Sequence, residues 1–515
     1  MSATPAASAK ITPPKRSFIE TFKHDWFAQP RADILAGIVV ALALIPEAIG
    51  FALIAGVDPS VGLYASVAIA MVIAFTGGRP GMISAATAAV AVVVIPLVKD
   101  HGVEYLFAAT ILMGIIQGIA AFLRLDLLMQ FVSRSVITGF VNALAILIFM
   151  AQLPQLLPGN EGVGPWTWAM VAAGLAIIYG FPRITKSIPS PLVAIVILTA
   201  ATIYWGLPVN DVAGEGKLPD GLPMFALPDV PLTWQTLQII LPYSLTMAAV
   251  GLLESLLTAQ IVDDLTHTDS SKQRESAGQG VANVVAACFG GMGGCAMIGQ
   301  SVINVVSGGR GRLSSFTAGA FLLFLLSVLG PLVGKVPMPA LVAVMVMVSI
   351  GTFSWNSIPN LRRHPPSSSV VMIATVVVVV GTHDLAMGVL IGVLLSGIFF
   401  ANKVRGMFSV ERERREHSAV YRVTGELFFA SVDKFIAELG PESQYEDAAH
   451  NVVIDVSKAH FWDISAIGAL DKVVERMRRN GRHTRVVGLN QASGDLHDKF
   501  ALEDRLGLED GLAPH

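Results

Sequence analysis

The sequence predicts a polytopic α-helical membrane protein that ends in a small soluble α/β domain. Three observations carry this expectation. Of 515 residues, 53% are apolar and only 14% are charged, against about 25% charge in an ordinary soluble chain. The charge is unevenly spread: residues 34–405 hold 32 charged side chains, and the much shorter stretch 406–515 holds 33. Several long runs carry no charge at all, among them 187–210, 230–253, 276–309, 313–334, 336–361, 364–383 and 385–402. A helix needs about 20 apolar residues to cross the hydrocarbon. Three regions follow: a polar N-terminal segment 1–30 on the cytoplasmic side, a membrane domain 31–407, and a tail domain 413–510. The net charge of −3 gives no reason to expect a nucleic-acid partner. The two cysteines, Cys288 and Cys295, lie in an apolar stretch and imply no disulfide framework.

The membrane domain divides into fourteen apolar segments, near 34–48, 61–76, 83–98, 105–123, 129–151, 165–181, 188–207, 237–260, 275–290, 296–307, 313–333, 337–351, 367–383 and 385–403. Segments 34–48, 83–98 and 296–307 are too short to cross alone. An even count puts both termini on one side, and loop charge tests it. Thirteen of the sixteen Lys and Arg of residues 34–405 fall on the terminal side, leaving Lys99, Lys217 and Lys335 on the other. The positive-inside rule then makes that side cytoplasmic. The prolines and acids of 208–235 read as an outer linker between two halves.

The halves resemble each other at matching places. Glu47 sits inside apolar segment one and Glu254 inside segment eight, 207 positions on. Met82-Ile83 opens segment three behind Gly77-Gly78, and Met297-Ile298 opens segment ten behind Gly290-Gly291, 215 positions on. Seven segments per copy is odd, so the second copy must be inverted. Short hydrophobic segments opened by Gly or Pro at corresponding positions of two halves point to a transporter binding site near the midplane. A half-helix that starts inside the membrane aims free N–H groups and a positive dipole end at the cavity, a ready anion site. The candidate contacts are Ser84, Ala85, Ala86 and Thr87 in one half, and Ile298, Gly299, Gln300 and Ser301 in the other. The alternative is that the glycines only permit close helix packing.

A charge at mid-bilayer costs at least about 2.5 kcal/mol on insertion scales. Glu254, with Thr258 one turn on, is therefore a candidate site for a coupling proton or Na⁺. Glu47 is the matching acid; a structural, hydrogen-bonded glutamate is the alternative for both. His267 with Asp263, Asp264 and Asp269 reads as an ordinary solvated loop cluster, so no metal is expected. His383-Asp384 reads as a solvated pair at an outer turn. No nucleophile elbow, Walker A loop, zinc spacing or dinucleotide fingerprint appears. No enzyme activity and no cofactor are expected, and transport is expected to be secondary.

In the tail, Glu411–Glu416 reads as a charged connector. Strands are expected near 418–424, 451–456 and 484–489, with a helix over 463–480 capped by Asp463. Trp462 is either an exposed contact or core.

Several stretches resemble one known family. They are Ile45-Pro46-Glu47-Ala48 followed by Phe51, Gly62-Leu63-Tyr64, Ile188-Pro189-Ser190-Pro191-Leu192, and Gly278-Gln279-Gly280-Val281-Ala282-Asn283 running into Phe289-Gly290-Gly291 and Gly308-Gly309-Arg310. The chain is similar to the sulfate permease (SulP) family, whose animal members form solute carrier family 26. Asp463-Ile464-Ser465-Ala466 resembles the characteristic loop of STAS domains, in whose soluble relatives that serine is phosphorylated. Ser465 is thus a candidate regulatory residue, or simply a helix N-terminal one.

The resemblance implies a fourteen-segment 7+7 inverted repeat in which a core domain moves against a gate domain, a cytoplasmic STAS domain, and a homodimer. It places an anion between the ends of segments three and ten, with Phe51 lining the pocket. Glu47 falls where most members have glutamine, and Glu254 at a cation-coupling acid of Na⁺-dependent bacterial members. Gln300 falls where many animal members have arginine, and Ile298 where a bacterial Na⁺–bicarbonate member has threonine. The expected function is secondary transport of a small anion of the sulfate, bicarbonate or C4-dicarboxylate class across the cell's inner membrane, as H⁺ or Na⁺ symport. Membrane lipid is the surrounding partner. The alternatives are an uncoupled anion channel, an anion exchanger, or a regulatory scaffold acting through the tail.

Overall fold

The computed structural model describes residues 18–127, 132–157, 163–184, 189–216, 221–415, 418–439, 451–491 and 493–495. Lys10, Lys15, Arg16, Lys186, Ile188, Lys217, Asp220, Glu416 and the stretch 496–515 lie outside them. The chain divides into two units, Met1–Val393 and Leu394–His515.

The first half of the membrane unit runs through α1 (Phe18–Phe27), α2 (Pro30–Ala55), α3 (Pro59–Thr76), β1 (Ser84–Ala86), α4 (Ala88–His101), α5 (Val103–Phe122), α6 (Arg134–Gln152), α7 (Pro165–Gly180) and α8 (Ser190–Trp205). The short α9 (Val212–Glu215) lies in the linker. The second half continues through α10 (Trp234–Thr266), α11 (Lys272–Cys288), β2 (Gly294–Ala296), α12 (Ile298–Val306), α13 (Arg312–Val333), α14 (Met338–Thr352), α15 (Ser357–Arg363), α16 (Pro366–Thr382) and α17 (Leu385–Val404). A helix thus lies in each of the fourteen apolar stretches. By length and composition seven helices among the described residues can cross a membrane, α2, α3, α5, α10 and α17 among them, and three apolar helices are shorter.

Local chemistry explains the boundaries. Proline opens α2, α3, α14 and α16, where its fixed φ and missing N–H cost nothing. The expectation that segment one is short is corrected: α2 runs 26 residues, through Pro46, and stops only at Gly56 in the left-handed conformation (φ 76°). Within a packed membrane domain, neighbouring groups take up the carbonyl that an internal proline leaves free. Segments three and ten do open as expected, but on extended strands rather than on helix.

Helix neighbours follow a two-fold rule. α5 packs on α11 and its counterpart α13 packs on α3; α2 packs on α13 and α10 on α5; α6 packs on α16 and α14 on α7. Each pair becomes the other when the halves are exchanged. β1 and β2 run antiparallel, which gives the exchange its inverted sense. The same neighbour pattern separates α2–α5 with α10–α13 from a second group, α6–α8 with α14 and α16.

The tail unit contains β3 (Phe408–Arg415), β4 (Ser418–Leu427), α18 (Val432–Leu439), β5 (Asn451–Phe461), α19 (Ile464–Arg479) and β6 (His483–Val487). Its sheet order is β3-β4-β5-β6, with an antiparallel first pair and parallel pairs after it. Phe435, Ile454, Phe461 and Leu470 form its core. The charged run at 411–415 is not a connector. It is an edge strand, and edge strands carry charge to block further pairing. Asp463 caps α19 as expected, accepting from Ala466 N at 2.9 Å. Ser465 lies exposed in the first turn, and Trp462 is exposed beside it.

Candidate functional site

The centre of the membrane unit is the β1–β2 pair. Ser84 faces Ala296, Ala85 faces Cys295 and Ala86 faces Gly294. The pairing needs glycine at 294, because a Cβ there would stand 2.0 Å from the Ala85 carbonyl oxygen. Two cross-links tighten it: Met297 N donates to Ile83 O at 2.9 Å, and Ile83 N donates to Ser301 Oγ at 3.0 Å. Both strands turn directly into helices, α4 after Thr87 and α12 after Met297, and neither start has a side-chain cap. Among the described residues no protein acceptor meets the amides of Ala88, Ala89 and Val90, or those of Ile298, Gly299 and Gln300. Because the strands are antiparallel, the two helix N-termini with unsatisfied donors stand at opposite ends of the strand pair, and each is an end that attracts an anion.

The two mouths differ. Ser84, Ala85, Ala86 and Thr87 are all buried. Ser84 Oγ accepts from Gln279 Nε2 at 2.7 Å, Ala86 N donates to Ser66 Oγ at 3.3 Å, and Thr87 Oγ1 meets Cys295 Sγ at 3.2 Å. Their side chains serve the scaffold. On the other side Gly299 is exposed, with open space where its Cβ would be, and Ile298 is half-buried. Ser301 is buried, its hydroxyl spent on Ile83.

The acids come to this centre from both halves. Glu47 and Phe51, one turn apart on α2, are buried, and Gln300 Nε2 donates to the Glu47 carboxylate. Glu254 Oε2 accepts from Cys295 Sγ at 3.0 Å. Thr258 shares the helix face, but its hydroxyl donates to the Glu254 carbonyl at 2.7 Å rather than to the carboxylate. Ser255 Oγ accepts from Ala296 N at 3.1 Å and holds β2 against α10.

Sequence reasoning missed the polar ladder behind the strands. Glu275, Gln279 and Asn283 lie on one face of α11. Glu275 Oε2 accepts from Gly78 N at 2.8 Å and Arg79 N at 3.1 Å. Gln279 Nε2 reaches Glu275 Oε1 at 2.8 Å. Asn283 accepts from Gly294 N at 2.8 Å, and donates to Gly294 O at 3.1 Å and Gln117 Oε1 at 2.9 Å. A polar residue at every fourth position along one face of α11 is the signal that marks them.

The loop cluster at 263–269 is not merely solvated: Asp263 pairs with Lys272 at 2.7 Å and Arg79 at 3.3 Å, and His267 ends α10 in the left-handed region. At the outer turn, Asp384 Oδ1 accepts from Met387 N at 3.0 Å and caps the start of α17.

Interrupted helices starting from the two ends of one short strand pair, with one acid nearby from each half, define a membrane transporter of the repeat-built class. Residues 31–375 match the sulfate permease family and residues 409–513 match the STAS domain. The chain belongs to the sulfate permease family: it is a multi-pass anion transporter with a C-terminal STAS domain, not an enzyme. The putative sulfate transporter YbaR of Bacillus subtilis is 55% identical over 481 residues, spanning 93% of this chain and 99% of that protein. The bicarbonate transporter BicA of Picosynechococcus is 24% identical over 512 residues, 90% of this chain and 89% of that one. Two solved structures share the fold. The transmembrane domain of a cyanobacterial BicA superposes with TM-score 0.62 at 24% identity, over 72% of this chain and 98% of its own. Murine Slc26a9 in its inward-facing state superposes with TM-score 0.79 at 16% identity, over 98% and 93%.

Proposed function

We propose that this chain is a secondary active transporter that carries a small anion of the sulfate, bicarbonate or C4-dicarboxylate class inward across the cytoplasmic membrane together with H⁺. The observation that carries the reading is the pair of helix N-termini at α4 and α12, whose six unsatisfied amides meet a negative charge without any lysine or arginine. Phe51 and the residues 298–301 line the anion's place, with 84–87 as its rigid back wall. Both termini lie in the cytoplasm, fourteen segments cross, and the group α2–α5 with α10–α13 moves as a core against the remaining helices. The protein works as a homodimer, and Ser465 is its regulatory position.

The choice of H⁺ over Na⁺ rests on the surroundings of Glu254. Na⁺ is a hard cation that needs a shell of oxygen ligands. Glu254 is instead met by a thiol, and the Thr258 hydroxyl turns to the backbone. A carboxylate beside a sulfur donor suits a proton better than a metal ion.

Uptake into proteoliposomes, with pH and Na⁺ gradients imposed separately over a panel of labelled anions, tests the reading. Accumulation of one anion driven by an inward proton gradient, lost in Glu254→Gln, is the expected result. A steady anion current without proton flux favours a channel and overturns it. Loss of all uptake on deleting 413–515 from a folded protein favours the scaffold reading.

A further inference from the structure

The membrane unit holds a second polar site, away from β1 and β2. At the end where α6 and α16 both begin lies a cavity of about 110 Å³, enough for several waters or one tetrahedral oxyanion. Arg134 and Ser135 come from the first turn of α6, Ser368 and Ser369 from the first turn of α16, and Asn360 and His364 from the α15 region between. Among the described residues no carboxylate lines it. Among the described residues the Arg134 guanidinium and the hydroxyls of Ser135 and Ser368 have no protein partner. Ser369 spends its own hydroxyl on Leu361 O at 3.2 Å. Two helix dipoles present their positive ends there as well, adding to the charge of Arg134.

The surroundings resemble a membrane–water boundary. Trp355 is 57% exposed, with its indole N–H on Ile350 O at 2.9 Å and its ring against Phe353 at 4.9 Å. Exposed tryptophans of this kind sit at headgroup level. Arg134, Arg362, Arg363 and His364 are all exposed around the same end, where cations draw acidic lipids.

We propose that this cavity binds a phosphate group, supplied by the headgroup of an acidic phospholipid, with Arg134 as the charged contact and Ser135 and Ser368 as hydroxyl donors. The phosphate bridges α6 and α16. The site is independent of what the transporter carries.

The test uses the purified full-length protein in a neutral detergent, with its thermal midpoint followed on addition of phosphatidylglycerol, phosphatidylcholine or inorganic phosphate. Phosphatidylglycerol raises the midpoint and phosphatidylcholine does not. Inorganic phosphate giving the same rise identifies the source as soluble phosphate at the same site. Arg134→Gln weakens the apparent affinity about tenfold, the loss of one charge-assisted contact. Arg363→Gln, at the same end but outside the cavity, weakens it less than Arg134→Gln does. Ser368→Val keeps every charge and also weakens binding, so the proposal survives poor folding of the arginine variant. No response to any phosphate, or equal responses from wild type, Arg134→Gln and Ser368→Val, overturns it.

Discussion

Gln300, in the first turn of α12, donates a hydrogen bond to the carboxylate of Glu47 on α2, a residue 253 positions earlier. The bond joins the two halves of the chain at the point where α12 exposes its free amides. It also gives a buried acid its donor without a fixed positive charge beside the proposed anion site.

Removing that donor has a cost that can be read directly. In Gln300→Met the carboxylate of Glu47 keeps its burial and loses its partner, which destabilises by about 1–3 kcal/mol. Glu47→Gln retains an amide–amide hydrogen bond and costs less. Thermal unfolding of the two purified variants is expected to rank Gln300→Met below Glu47→Gln, with anion uptake falling in the same order. Equal midpoints for Gln300→Met and wild type count against the bond.

The two strand-to-helix junctions make a paired test of structure against binding. A methyl group at 294 meets the Ala85 carbonyl, whereas at 299 it meets open space. Gly294→Ala must push β1 and β2 apart, an overpacking cost of about 1–3 kcal/mol. Gly299→Ala leaves the fold alone and places a methyl group over the free amides of α12. Calorimetry therefore separates them: Gly294→Ala lowers the unfolding midpoint, and Gly299→Ala does not. Uptake falls in both, through a raised KM in Gly299→Ala.

These contrasts also mark what the chain discloses before it is folded. Glu47, Glu254 and the two Met-Ile pairs are legible because membrane burial makes any acid or glycine run conspicuous in an apolar stretch. The strand pair is not, since three residues are too few for an alternation to register and the partner lies over 200 positions away. Segment one is cut short at residue 48, whereas α2 continues to Ala55, because a packed membrane domain accommodates both the internal Pro46 and the Glu47 that interrupts the apolar run. Cys295 is passed over for another reason. Its type suits a core residue, and only the fold brings its sulfur between Glu254 and Thr87.

That sulfur sets the third expectation. Cys295→Ser replaces a soft donor with an oxygen at the same place, next to the Glu254 carboxylate and the Thr87 hydroxyl. Three oxygens then face one point, closer to what Na⁺ requires. Uptake by wild type is expected to be indifferent to Na⁺ at fixed pH, and Cys295→Ser to show Na⁺ stimulation. Proteoliposomes with choline in place of Na⁺ make the measurement; Na⁺-stimulated uptake already present in wild type argues for a sodium site in the native protein.

The last expectation concerns a residue that serves the fold alone. Asp33 is 1% exposed in the first turn of α2, and its Oδ1 accepts from Arg310 N at 2.8 Å and Gly311 N at 2.9 Å. It thereby fixes the turn between α12 and α13 to the start of α2. A Cβ on Gly311 would stand 2.3 Å from Asp33 Oδ2, so the carboxylate fits this turn closely. Asp33→Ala strands two amides, one of them buried, for a loss of about 1–3 kcal/mol. Fourteen residues of α2 separate Asp33 from Glu47, about 20 Å along the helix axis. Asp33→Ala is therefore expected to lower the thermal midpoint while uptake per folded molecule keeps its KM, the reverse of Gly299→Ala. A changed KM with an unchanged midpoint moves Asp33 from the scaffold into the transport pathway.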